Sequence, residues 1–149
     1  MGETNSSRNR ALTFLTITGD ISVDAGGDLT LEGGNDFASF AQVGHGGVDL
    51  ADIETSSFIN GDISVNVGGT LDILGGGRVF YTGSQVQRDL NSHAFIGHGG
   101  FRTGFMGFYG DIDVTTGDDI TLTGGSYRHS FAKIGHQGAE DRGQVGGNY

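Results

Sequence analysis

Hydrophobic and polar residues alternate with a period of two along short stretches of this chain. Ile21 and Val23 flank Ser22, and Leu29 and Leu31 flank Thr30. Ile63, Val65, Leu71 and Ile73 follow the same rhythm, as do Ile112, Val114, Ile120 and Leu122. Successive side chains on a strand point to opposite faces, so this alternation predicts strands with one buried face. An amphipathic helix needs apolar residues at three- and four-residue spacing, which these units lack. The pattern predicts an all-β chain.

The strand units recur in a fixed order. Gly19-Asp20-Ile21-Ser22-Val23 returns as Gly61-Asp62-Ile63-Ser64-Val65 and as Gly110-Asp111-Ile112-Asp113-Val114. A second unit follows in each copy: Asp28-Leu29-Thr30-Leu31, Thr70-Leu71-Asp72-Ile73 and Asp119-Ile120-Thr121-Leu122. Each is closed by a glycine pair, Gly33-Gly34, Gly75-Gly76 and Gly124-Gly125. A third unit ends in Val43-Gly44-His45, Ile96-Gly97-His98 and Ile134-Gly135-His136. Three units matched in order across three copies define a repeat. The reading is a polar tail over residues 1–11 and one domain over 12–149, with repeats at about 19–60, 61–109 and 110–149. An insertion near 77–91 and variable segments at 48–60, 101–109 and 139–149 read as projecting loops.

Equivalent residues of one chemical type suggest how the copies meet. In a parallel β-solenoid, equivalent strands lie about 4.8 Å apart along one axis, and like side chains form columns. The expected interior columns are 21/63/112, 23/65/114, 29/71/120, 31/73/122 and 43/96/134, with a narrower alanine column at 41/94/132. Each buried aliphatic side chain contributes about 1.5–3 kcal/mol. Two shorter rungs per copy, or one rung with long loops, both fit the repeat length. Three rungs rise only about 15 Å and leave strand edges open at both ends. Head-to-tail contact between copies is the expected remedy.

Composition agrees. The chain has 30 glycines in 149 residues and no proline, a load that frequent tight corners would use. Collagen is excluded, because glycine does not fall at every third position. A formal charge of −10 argues against nucleic acid and anionic membrane surfaces. No apolar run is long enough to span a bilayer. The polar start lacks the apolar core of a signal peptide. With no cysteine, disulfides and thiolate metal sites are ruled out.

Candidate chemistry is repeated threefold. His45, His98 and His136 share one glycine-flanked context and form a column. Stacked imidazoles can share hydrogen bonds along the axis, or take zinc or copper, although evenly spaced rungs do not make a tetrahedral cage. Protonation near pH 6 would set the column against itself. Asp20, Asp62 and Asp111 read as Asx-turns fixing corners, or as a cation-binding column. Calcium lacks its nonapeptide motif. Ser39, Ser92 and Ser130 keep step with the histidines and read as scaffold, and His93 and His129 as exposed positions. A catalytic site is unique, whereas every notable polar group here comes in threes, so the chain does not read as an enzyme. Phe101, Phe105, Phe108 and Tyr109 crowd one variable segment, either packing locally or presenting a binding surface to neighbouring copies or glycans.

The G-D-I-S-V unit with its following L-x-L-x-G-G, and the tail at Ala41 to Gly47, are similar to the repeats of filamentous-haemagglutinin-like bacterial surface proteins. The resemblance spans residues 12 to 138. It implies a right-handed parallel β-helix, export to the cell surface, and a part in adhesion, biofilm or fibre formation. The expected function is an extracellular structural element associating with copies of itself. The alternative is a carbohydrate- or metal-binding module using the loops.

Overall fold

A computed structural model describes residues 15–36, 38–48, 57–77, 92–101, 106–126 and 129–136. All the regular structure among them is β. The chain makes three passes that share four stations, and the first two passes add a fifth among the described residues. The first runs through β1 (Thr16–Thr18), β2 (Ile21–Ala25), β3 (Leu29–Glu32), β4 (Ala41–Val43) and β5 (Gly46–Val48). The second runs through β6 (Ser57–Asn60), β7 (Ile63–Val67), β8 (Leu71–Leu74), β9 (Ala94–Ile96) and β10 (Gly99–Phe101). The third gives β11 (Met106–Tyr109), β12 (Ile112–Thr116), β13 (Ile120–Thr123) and β14 (Ala132–Ile134).

Equivalent strands pair in parallel, with the second pass always in the middle. The sheets are β1-β6-β11, β2-β7-β12, β3-β8-β13 and β4-β9-β14, with β5 and β10 pairing as a fifth. Register is fixed at every predicted column: Ile63 lies between Ile21 and Ile112, and Leu71 between Leu29 and Ile120. Ile73 lies between Leu31 and Leu122, and Ile96 between Val43 and Ile134. This stacking fits a β-solenoid with one coil per repeat, deciding between the two counts that repeat length left open.

The interior has two parts. Ile63, Val65, Val67, Leu71, Ile73, Ala94 and Ile96 of the middle coil form the main core, with first- and third-coil partners packed on either side. A second cluster joins Ile59, Met106 and Phe108, flanked by Leu15 and Ile17. Its strands β6 and β11 occupy the ends of the variable segments 48–60 and 101–109, where the pattern predicts loops. The signal is present in retrospect: Ile17, Ile59 and Phe108 each stand two residues before a Gly-Asp-Ile unit.

Glycine is used where coils approach most closely. A Cβ at Gly61 would lie 1.9 Å from the Gly19 carbonyl oxygen, and one at Gly97, whose φ is +153°, would lie 2.1 Å from the Gly135 oxygen. No side chain fits at either corner.

Candidate functional site

The three column histidines stand at the corner after β4, β9 and β14. Their rings stack nearly parallel, with centroids 5.1 Å apart for His45 and His98 and 4.9 Å apart for His98 and His136. Each ring spans its own coil to the Gly-Asp corner. Nε2 of His45, His98 and His136 lies 2.9, 2.8 and 2.9 Å from the carbonyl oxygens of Gly19, Gly61 and Gly110. A second bond runs along the axis. The His45 N–H donates to Nδ1 of His98, and the His98 N–H to Nδ1 of His136, each at 3.1 Å.

These partners dictate the tautomer. A carbonyl only accepts, so Nε2 carries the hydrogen, while a backbone N–H only donates, so Nδ1 must be bare. His98 and His136 therefore spend both ring nitrogens on backbone. Burial holds the His98 imidazole below its ordinary pKa, and the neighbouring His136 and His45 push the same way. The Gly61 carbonyl and Asp62 oppose them.

The metal reading of His45, His98 and His136 meets a competing use of the same ring nitrogens. The rings face one another as plates, and those of His98 and His136 have no free lone pair to turn toward an ion. Among the described residues no three His, Asp or Glu side chains converge as a metal ion requires. The ladder is a cross-brace, tying each coil to itself and to the next.

The aspartates run beside it. The Asp62 N–H donates to Asp20 Oδ1 at 3.0 Å, and the Asp111 N–H to Asp62 Oδ1 at 2.9 Å. The Asx-turn reading placed their partners on local backbone, whereas these bonds join successive coils. Thr70 N–H likewise donates to Asp28 Oδ1 at 2.9 Å. Charge-assisted bonds to backbone N–H make up for stacking like charges at solvent-exposed corners.

A second aromatic stack was not legible. His93 is fully buried, its ring 5.1 Å from Phe40 and 4.8 Å from Phe131, with Phe95 tilted against it. This corrects the expectation of an exposed position. Its coil-equivalent neighbours are phenylalanines, a match the histidine disguised. Ser92 Oγ donates to the Asp36 carbonyl at 2.6 Å, and Ser92 and Ser130 are both buried. Gln42 reaches across coils to the carbonyls of Gly97 and Gly99, while Lys133 donates to that of His136.

The aromatic surface candidates separate. Phe108 is 1% exposed, against Ile59 and Met106, because β11 turns it inward; it belongs to the core. Tyr109, the next residue, therefore points outward and is 43% exposed. It meets Phe58 edge-on at 6.4 Å. Phe101 ends β10, and Phe105 lies outside the described residues.

No family model, no curated protein and no solved structure matches this chain.

Proposed function

We propose that this chain is the body of a right-handed parallel β-solenoid with a structural role at the cell surface, forming filaments or adhesive fibres with copies of itself. One observation carries the reading. The histidines and aspartates that look chemical in the sequence are used to join coils, once per repeat. Such repetition serves assembly, since stability in stacked repeats comes largely from neighbour contacts. The outermost β13 supports it, with Ile120 and Leu122 exposed at 42% and 46%. Handedness and extracellular location rest on the resemblance of the repeat units to filamentous-haemagglutinin-like proteins. Negative-stain microscopy with sedimentation across concentration tests the proposal. Fibres or mass growing with concentration are expected, and monodisperse monomers at high concentration would refute it.

The edge-on pair of Phe58 and Tyr109 favours carbohydrate recognition as the second reading. Exposed aromatic faces stack on the apolar faces of sugars, and these two share the outer side of the β1-β6-β11 sheet. Glycan binding lost in Tyr109→Ser, with unchanged β-sheet circular dichroism, is the expected result. Binding that survives the change would remove this reading.

A further inference from the structure

The polar ladders have a direction. Aspartate carboxylates of one coil accept from the coil above, from first to second and from second to third. Imidazole Nδ1 atoms work the other way, each accepting from the coil below. Unused groups therefore differ at the two faces of the stack. On the third coil the Asp111 carboxylate and the His136 N–H have no hydrogen-bond partner among the described residues; on the first coil the same holds for the Asp20 N–H and the His45 Nδ1. An acceptor and a donor on one face meet a donor and an acceptor on the other.

The apolar surface has the same polarity. Leu71 and Ile73 of the middle coil are fully buried between neighbours, whereas their third-coil equivalents Ile120 and Leu122 are exposed. A first coil laid on the third in the internal register would bring Leu29 and Leu31 over them. The Asp28 N–H would then arrive above Asp119, as the Thr70 N–H arrives above Asp28 within the chain.

We propose that the third coil of one copy receives the first coil of a second copy in a single register. Two reciprocal pairs set it: His136 N–H to His45 Nδ1, and Asp20 N–H to the Asp111 carboxylate. The proposal deepens the self-association reading and rests on it. The joint is heterologous, so it propagates as an open filament and does not close a dimer. It repeats the contact between neighbouring coils, down to the matched aliphatic columns.

Cysteine cross-linking tests the register, since the chain has no cysteine of its own. Ser22 and Asp113 are both exposed, and both align with Ser64. In the proposed joint, Asp113 of one copy lies beside Ser22 of the next, within reach of a disulfide. Mixing S22C with D113C should give linked dimers under mild oxidation, and the double variant S22C/D113C a series of linked multimers. Neither single variant alone should link. Asp111→Ala should lower the linked fraction at limiting concentration about tenfold, the worth of one charge-assisted bond. It should leave thermal unfolding of the unassociated chain unchanged, since that carboxylate has no partner within the chain among the described residues.

The failures are distinguishable. Wild-type chains that stay monomeric at every concentration would sink self-association and the joint together. Filaments that link S22C to itself, or link S22C better to T115C than to D113C, would overturn the register and leave self-association standing. Monomers whose Asp20 and His136 amides are protected from exchange would show the chain's own ends filling these faces, which also overturns the joint.

Discussion

The middle and third coils carry nearly the same pattern and meet opposite fates. Leu71 and Ile73 are wholly buried; Ile120 and Leu122, one coil away and in register with them, are exposed. The difference lies in neighbours and not in residues. A strand in this stack is covered by the strands above and below, and β13 has only β8 beneath it among the described residues. Alternation therefore reports which face a side chain takes, while burial is deepest in the middle coil and unequal at the two ends, where Leu31 is buried and Leu122 is not. The glycines divide in the same way. Gly61 lies against the carbonyl of the coil before it, whereas a Cβ at Gly27 would meet open space.

The glycine contrast gives the largest expected effect. Gly61→Ala places a methyl 1.9 Å from the Gly19 oxygen, far inside van der Waals contact, so the first and second coils would have to separate. Loss of cooperative unfolding, read by circular dichroism, is the expected outcome. Gly27→Ala should be neutral or stabilise by up to about 1 kcal/mol through a less flexible unfolded chain. Equal loss of stability in both variants would break the distinction.

The aliphatic contrast comes next. Ile73→Ala removes a buried side chain and should cost about 2–5 kcal/mol. Leu122→Ala, on the same column, should cost under about 1 kcal/mol in the unassociated chain, because much of that side chain already meets water. Denaturant unfolding at low protein concentration separates the two. A matching cost at Leu122 would show that the third coil is covered in solution.

Much of the scaffold was readable because columns of like residues are a tertiary signal written directly in sequence. The registers at Ile63, Leu71, Ile73 and Ile96 all follow from aligning the copies. Strands β6 and β11 were hidden because their outward residues vary: Thr16, Phe58 and Gly107 share one station without sharing chemistry. His93 was misread because side-chain type suggests exposure, and only the stack places its ring between two phenylalanines. The histidine column itself was visible, but not its wiring. The Gly-His corner and the Gly-Asp corner lie far apart in sequence, and nothing local says that a ring bridges them. Their joint recurrence in every copy was the clue.

The smallest effect is the response of the ladder to acid. The folded coil holds His98 neutral, because burial and the flanking His45 and His136 disfavour a second proton on its ring. A proton on Nδ1 would also face the His45 N–H that this atom now accepts. The unfolded chain has no such constraint and takes up a proton near the ordinary imidazole value of about 6.5. Stability from this group is thus fully present above that pH and declines as pH falls from there toward the lowered folded value. The charged groups around the ladder are Asp20, Asp62 and Asp111 at the facing corners and Lys133 beside His136. The melting temperature of the wild type should hold steady from pH 8 to about 6.5 and fall below it. His98→Gln, which cannot titrate, should start lower and decline less. Parallel profiles for the two proteins would mean that the middle ring takes its proton as readily when folded, and that the ladder is no brace against acid.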